Sequence, residues 1–334
     1  MTEYPIMKLF KTRGLICLVL LLILPALANE AVGAGEESKI DLAATAKYVQ
    51  DWAARDAFPD SPSFAYMNVY CQLALGGQVS DATKKKVVEY IRKCQRPDGG
   101  FVANPEIKGG AAAESNVIFT YFALAALDLI DASSSVDGKR AADFVLSMVG
   151  ENGGIKQNAE GGPPNVGTTY YGIRALHILK SLDRLDKGPT IEYIKSHRDH
   201  DKGYGVLPGK PSAPQPTFMA VDSLRLLGEP VDEIAPGVMR FLLETPYSGM
   251  KEPENPALVT MDNLSYVLQT AALLSSVQQF NTGKIREFIQ SRYIPDNGGF
   301  GPGPGLGSTP PGTFNAIECL VILGDLKDPY AGRQ

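Results

Sequence analysis

The sequence predicts an all-α fold: an α/α toroid of six helical hairpins, about twelve helices in two concentric layers. Three observations carry that prediction. A Thr-aromatic phrase recurs as Thr120-Tyr121, Thr169-Tyr170, Thr217-Phe218 and Thr313-Phe314, each opening a helical apolar pattern. The spacings are 169 − 120 = 49, 217 − 169 = 48 and 313 − 217 = 96 residues, so the last gap holds two units and the intervening copy is expected near Thr260. A second helical phrase precedes the first in every unit, and a glycine turn joins the two. Repeats of this length bury their apolar faces only against neighbours. An open solenoid needs polar end caps, whereas the terminal units here resemble the internal ones, which favours a closed ring.

Taken in order, the chain opens with Lys8, Lys11 and Arg13, then the apolar run Leu15 to Leu24, then Pro25-Ala26-Leu27-Ala28. Basic, apolar and small-x-small in that order predict a signal peptide over residues 1–28, cleaved before Asn29. The apolar run is short for a bilayer span, so an uncleaved anchor is the lesser reading and no stable membrane span is expected. The mature protein is expected to be secreted or periplasmic. Residues 29–39 are expected to be a disordered linker, and 40–330 the toroid.

The six outer phrases are centred on Tyr48, Tyr90, Phe144, Tyr193, Phe241 and Phe288. Around Tyr90, apolar residues recur at Val87, Val88, Ile91 and Cys94, the helical period. Five of the outer phrases meet turns: Pro97-Asp98-Gly99-Gly100, Asn152-Gly153-Gly154, Gly203-Tyr204-Gly205, Ser248-Gly249 and Asn297-Gly298-Gly299. Glycine there stops the helix and permits positive φ. Loops such as Gly301-Pro302-Gly303-Pro304-Gly305 follow, then the inner helix; the first hairpin runs from Tyr48 to Gly76.

A net charge of −5 and an isoelectric point near 5.4 argue against a nucleic-acid partner. Lys84-Lys85-Lys86 is taken as the solvated start of a helix. Of four cysteines, Cys71, Cys94 and Cys319 lie beyond the leader with no close spacing, so no disulfide framework is indicated. Asp199-His200-Asp201 follows an outer helix just before a glycine turn and is taken as a solvated turn rather than a metal site.

The phrase Gln95-Arg96-Pro97-Asp98-Gly99-Gly100-Phe101 and its echo Asn297-Gly298-Gly299-Phe300, each followed by a small-residue inner helix, resemble the repeat of protein prenyltransferase β subunits and squalene/hopene cyclases. The resemblance covers roughly residues 40 to 326 and implies the toroid fold. It also implies where chemistry would sit. Zinc-dependent members hold their metal with an Asp-x-Cys pair at the fifth inner helix and a histidine opening the sixth. Here those places fall on Pro256 and Leu258, or Asp262 and Leu264 if the loop slips, and on Gly312. The Asp-x-Asp-Asp acid run of the cyclases is missing as well. No metal or other cofactor is therefore expected.

At 100° per residue, repeat positions 4, 8 and 11 (Ala220, Leu224, Leu227) share the face that packs on the outer helix. Positions 2, 6 and 9 lie opposite and face the lumen of a closed ring. Position 2 carries Tyr121, Tyr170, Phe218 and Phe314; position 6 carries Arg174, Asp222 and Glu318; position 9 carries His177, Arg225 and Asp128. One reading is a cavity with an aromatic rim and charged interior, binding a hydrophobic or amphipathic small molecule, such as an isoprenoid or an anionic ligand, or a protein partner. The other is that the charges pair among themselves, Arg174 with Asp222 for example. The enzymatic alternative is a divergent prenyltransferase or terpenoid cyclase, or a different toroid chemistry such as carbohydrate cleavage, with the paired carboxylates Asp222 and Glu318 as candidates.

Overall fold

The structure is a computed structural model that describes residues 39–249 and 259–332. Among these residues there are twelve α-helices: α1 (Leu42–Ala54), α2 (Pro62–Ala74), α3 (Asp81–Cys94), α4 (Val117–Leu129), α5 (Gly138–Ser147), α6 (Val166–Ile178), α7 (Lys187–Lys195), α8 (Pro214–Leu227), α9 (Ala235–Glu244), α10 (Met261–Leu273), α11 (Thr282–Gln290) and α12 (Pro310–Ile322). No strand occurs among the described residues beyond isolated bridges flanking the turns. The signal-peptide segment and the linker up to residue 38 fall outside the described residues, as do Pro256 and Leu258.

The even-numbered helices form the inner layer. Each packs on the next, from α2 to α4, α6, α8, α10 and α12, and α12 packs back on α2, so the ring closes. The seam is tied as well: Lys327 N–H donates to Ala74 O (3.2 Å), and Tyr293, beyond α11, donates its hydroxyl to Asp41 O ahead of α1 (3.5 Å). Helices of 9 to 14 residues are marginal alone and depend on this packing. Inner helices touch neighbours on both sides, the outer layer and the lumen, so α4 (VIFTYFALAALDL) is apolar nearly all round. Outer helix α3 (DATKKKVVEYIRKC) buries only the stripe Val87, Ile91 and Cys94, and its lysine run lies on its first turns. Cys71, Cys94 and Cys319 are free and buried, each filling core space as a small apolar side chain.

One device builds four of the six turns between an outer and an inner helix. Asp98, Asn152, Asp201 and Asn297 each accept from the amide two residues on, at 3.0, 3.1, 2.9 and 3.0 Å. The residue between adopts positive φ: Gly99 (95°), Gly153 (81°), Lys202 (75°) and Gly298 (78°). The fourth unit thus differs from the sequence expectation. Its left-handed residue is Lys202 rather than Gly203, because the Asp201 bond fixes the register of the turn.

The repeated threonine serves this same turn. Buried Thr120, Thr169, Thr217 and Thr313 accept through Oγ1 from the amides of Phe101, Ile155, Tyr204 and Phe300 (2.9–3.1 Å). Helix ends show that the fifth copy begins at Leu264, not near Thr260, since Leu264 is the fourth residue of α10 as Thr313 is of α12. Thr260 is instead the N-cap residue of α10. The error is one helical turn, which keeps the same face and so leaves the apolar pattern intact. Asp199 and His200 lie in an exposed turn, where His200 Nδ1 meets Asp199 Oδ1 at 2.8 Å, while Asp201 is committed to its own turn.

Candidate functional site

The inner helices run in register, so equivalent positions form layers around the axis. In the position-2 layer stand Tyr66, Tyr121, Tyr170, Phe218, Ser265 and Phe314, and every aromatic among them is buried. Ring centroids follow one another at 5.8 Å (Phe314–Tyr66), 6.2 Å (Tyr66–Tyr121), 6.4 Å (Tyr121–Tyr170) and 5.6 Å (Tyr170–Phe218). Tyr70 and Tyr266 extend the run at either end, 5.3 Å from Phe314 and 5.7 Å from Phe218. These residues form a belt of mutually packed, mostly tilted or edge-on rings rather than an exposed rim. The partly buried aromatics lie one position further on, at Phe122, Tyr171 and Tyr266.

The next two layers hold the charge. Asp222 is 2 % exposed and receives Arg225 through Nε (3.1 Å) and Nη2 (2.8 Å). Arg174 Nη1 lies 3.5 Å from Asp222 Oδ2, so the pairing anticipated from the sequence is present. The Arg174 guanidinium sits 6.0 Å from the ring centres of both Tyr121 and Tyr170, a cation–π arrangement, and its buried Nε has no protein partner. Burial opposes its charge, but the nearby Tyr170, Tyr121 and Asp222 raise its pKa further. His177 and Arg225 open to solvent at the C-terminal end of the ring. Burial and the charges of Arg174 and Arg225 hold the His177 imidazole below its ordinary range.

Across the ring, Ser265 interrupts the aromatic belt and donates its hydroxyl to Glu318 Oε2 (2.9 Å), which Gln269 Nε2 also approaches (3.3 Å). Burial raises the Glu318 carboxyl to about 7, against the opposing pull of Ser265 and Arg174. Arg174, Asp222, Arg225 and His177 therefore gather on α6 and α8, while Glu318 stands apart with α10.

Sequence reasoning missed Tyr66, Tyr70, Ser265 and Gln269. The first two sit in a unit where Ala65 replaces the marker threonine, and aligning back from Gly76 finds them. The corrected register of α10 supplies the other two. It also places the Asp-x-Cys pair of the resemblance on Thr260 and Asp262. With Gly312 in the histidine's place, these residues offer one carboxylate and no thiolate or imidazole, and do not fit zinc. Among the described residues no three His, Cys, Asp or Glu side chains converge.

The sequence matches the model of the prenyltransferase alpha-alpha toroid domain over residues 42–251 and 257–332. The chain belongs to the prenyltransferase α/α toroid family. Its relatives include the geranylgeranyl transferase type-1 subunit beta of Arabidopsis thaliana, 30 % identical over 115 residues, and the protein farnesyltransferase subunit beta of Pisum sativum, 24 % identical over 171. These alignments cover 34 % and 50 % of this chain but only 31 % and 39 % of the relatives' lengths.

Among solved structures, the toroid superposes on Candida albicans protein geranylgeranyltransferase-I complexed with GGPP (TM-score 0.74, 15 % identity, 87 % of this chain and 93 % of that one). It also matches the type II terpene cyclase MstE of Scytonema (TM-score 0.58, 13 % identity, 84 % and 97 %). At these identities the likeness is one of fold.

Proposed function

We propose that this chain is an extracytoplasmic binding toroid. It holds the apolar part of an isoprenoid-like or other amphipathic ligand along the aromatic belt, with a polar or anionic end toward Arg174, Arg225 and His177. The observation that carries this reading is Arg174 itself: a guanidinium flanked by Tyr121 and Tyr170, sharing one carboxylate with Arg225, and keeping a buried Nε free of any protein acceptor. A buried donor without an acceptor costs on the order of 1–3 kcal/mol, which an incoming oxygen recovers. The GGPP of the Candida albicans relative gives the ligand class a precedent in this fold. The leader of residues 1–28 delivers the toroid outside the cytoplasm, and the toroid acts without zinc.

Calorimetric titration with geranylgeranyl diphosphate, before and after chelator treatment, tests the proposal. Saturable binding unchanged by chelator supports it; one tightly held zinc per chain, or binding that chelator abolishes, overturns it.

A second reading is favoured by Glu318. Burial raises this carboxyl, inside an aromatic enclosure, to about 7, in the range of a general acid, which points to a divergent prenyltransferase or terpenoid cyclase. Product formation from isoprenyl diphosphates, lost in Glu318→Gln, would establish that reading in place of the first.

A further inference from the structure

The segment after α12 does not leave the ring. It crosses the C-terminal end of the inner helices, where Lys327 N–H reaches Ala74 O, and then turns inward on Asp328, whose Oδ1 accepts from Tyr330 N–H (2.9 Å) and whose carbonyl accepts from Ala331 N–H (3.1 Å). Pro329 is buried at this turn. Tyr330 then enters the lumen: its ring lies 6.3 Å from that of Tyr70, and its hydroxyl donates to Tyr66 Oη (3.3 Å). Burial and the neighbouring Tyr121 raise the Tyr330 phenol's pKa. Tyr330 therefore touches the same belt that the rings of Tyr66, Tyr121 and Phe314 make.

Tyr330 packs against the core, but the hydrogen bonds that hold the segment are few. Asp325 is anchored by Arg286 (2.7 Å), but among the described residues the bonds joining Lys327–Gly332 to the ring are one backbone bond at 3.2 Å and one hydroxyl pair at 3.3 Å. The remaining bonds are internal to the turn. A segment so tied opens at far lower free energy than the inner helices, which are packed on all sides.

We propose that Lys327–Gly332 is a displaceable plug of the lumen, with Tyr330 occupying the α2 side of the belt that a ligand needs, so that ligand entry and plug withdrawal are coupled. The ligand half of this rests on the binding reading above; the plug half does not. A protein whose competent state is only fractionally populated binds with its affinity reduced by that fraction, so removing the plug tightens binding.

Two measurements on the full chain separate the halves. The first is amide hydrogen exchange of the ligand-free protein. The plug predicts that peptides covering 326–332 exchange at least about tenfold faster than α2, with little dependence on sub-denaturing guanidinium. Exchange with the same denaturant dependence as α2 would mean the segment is part of the cooperative ring, and overturns the plug.

The second is titration with the apolar fluorophore N-phenyl-1-naphthylamine of the wild type, Tyr330→Ala and Tyr330→Phe. The coupling predicts about fivefold or greater tightening in Tyr330→Ala and a smaller gain in Tyr330→Phe, which keeps the ring and loses the hydroxyl bond. Equal affinity in all three overturns the coupling. Fast, local exchange with no dye bound by any form supports the plug and sinks the binding reading instead.

Discussion

Thr217 shows what a single repeated side chain is for. Its hydroxyl accepts the amide of Tyr204 at 3.0 Å, and both residues are buried. Thr217→Val keeps the shape and strands that amide, so it should destabilise the protein by about 1–3 kcal/mol, whereas Thr217→Ser should recover most of the loss; denaturant midpoints compare the two. Glu318 carries the opposite kind of cost. Its carboxyl is raised from an ordinary 4.5 to about 7, so the folded state prefers it neutral. That contribution is fully present below pH 4.5 and is lost as pH rises through 7. Unfolding titrations of the wild type and Glu318→Gln at pH 5 and pH 8 should therefore differ. The variant should gain on the order of 1–3 kcal/mol relative to the wild type at the higher pH, and parallel curves would show that Glu318 is solvated.

At the scale of the turn, two glycines of similar φ separate backbone conformation from crowding. Gly153 has φ 81°, and a Cβ there would meet Pro189 C and Thr190 N, at the start of α7, at 2.3 and 2.4 Å. Gly209 has φ 70° and open space around it. Gly209→Ala should cost about 1 kcal/mol, the left-handed penalty alone, and Gly153→Ala several times that, because the turn and α7 must separate. Thermal midpoints that shift equally would refute the close approach. This is also where the sequence was most and least legible. Outer helices, turns and four inner helices were plain from aromatic spacing and Gly pairs. Leu264 and Ala65 hid the register of two inner helices because they lack the marker hydroxyl, and one turn of slip leaves a helical pattern unchanged. Lys202 in a glycine's place followed from the Asp201 bond, which spacing alone does not show.

For the whole molecule, closure of the ring turns six similar hairpins into one enclosure with two unlike sides. Arg174, Asp222 and Arg225 on α6 and α8 face a side where Ser265, Gln269 and Glu318 take the place of a sixth aromatic. The charged pairing was legible from helical phase. The packing of the belt onto itself was not, since phase gives direction and not distance. The central claim is that this enclosure receives the ligand, and photolabelling with a benzophenone-bearing geranylgeranyl diphosphate, mapped by mass spectrometry, tests it most directly. Adducts on α2, α4, α6 and α8 near Tyr66, Tyr121, Tyr170 and Phe218, competed away by unlabelled geranylgeranyl diphosphate, are the predicted result. Adducts confined to the outer helices, or labelling that never saturates, would contradict it.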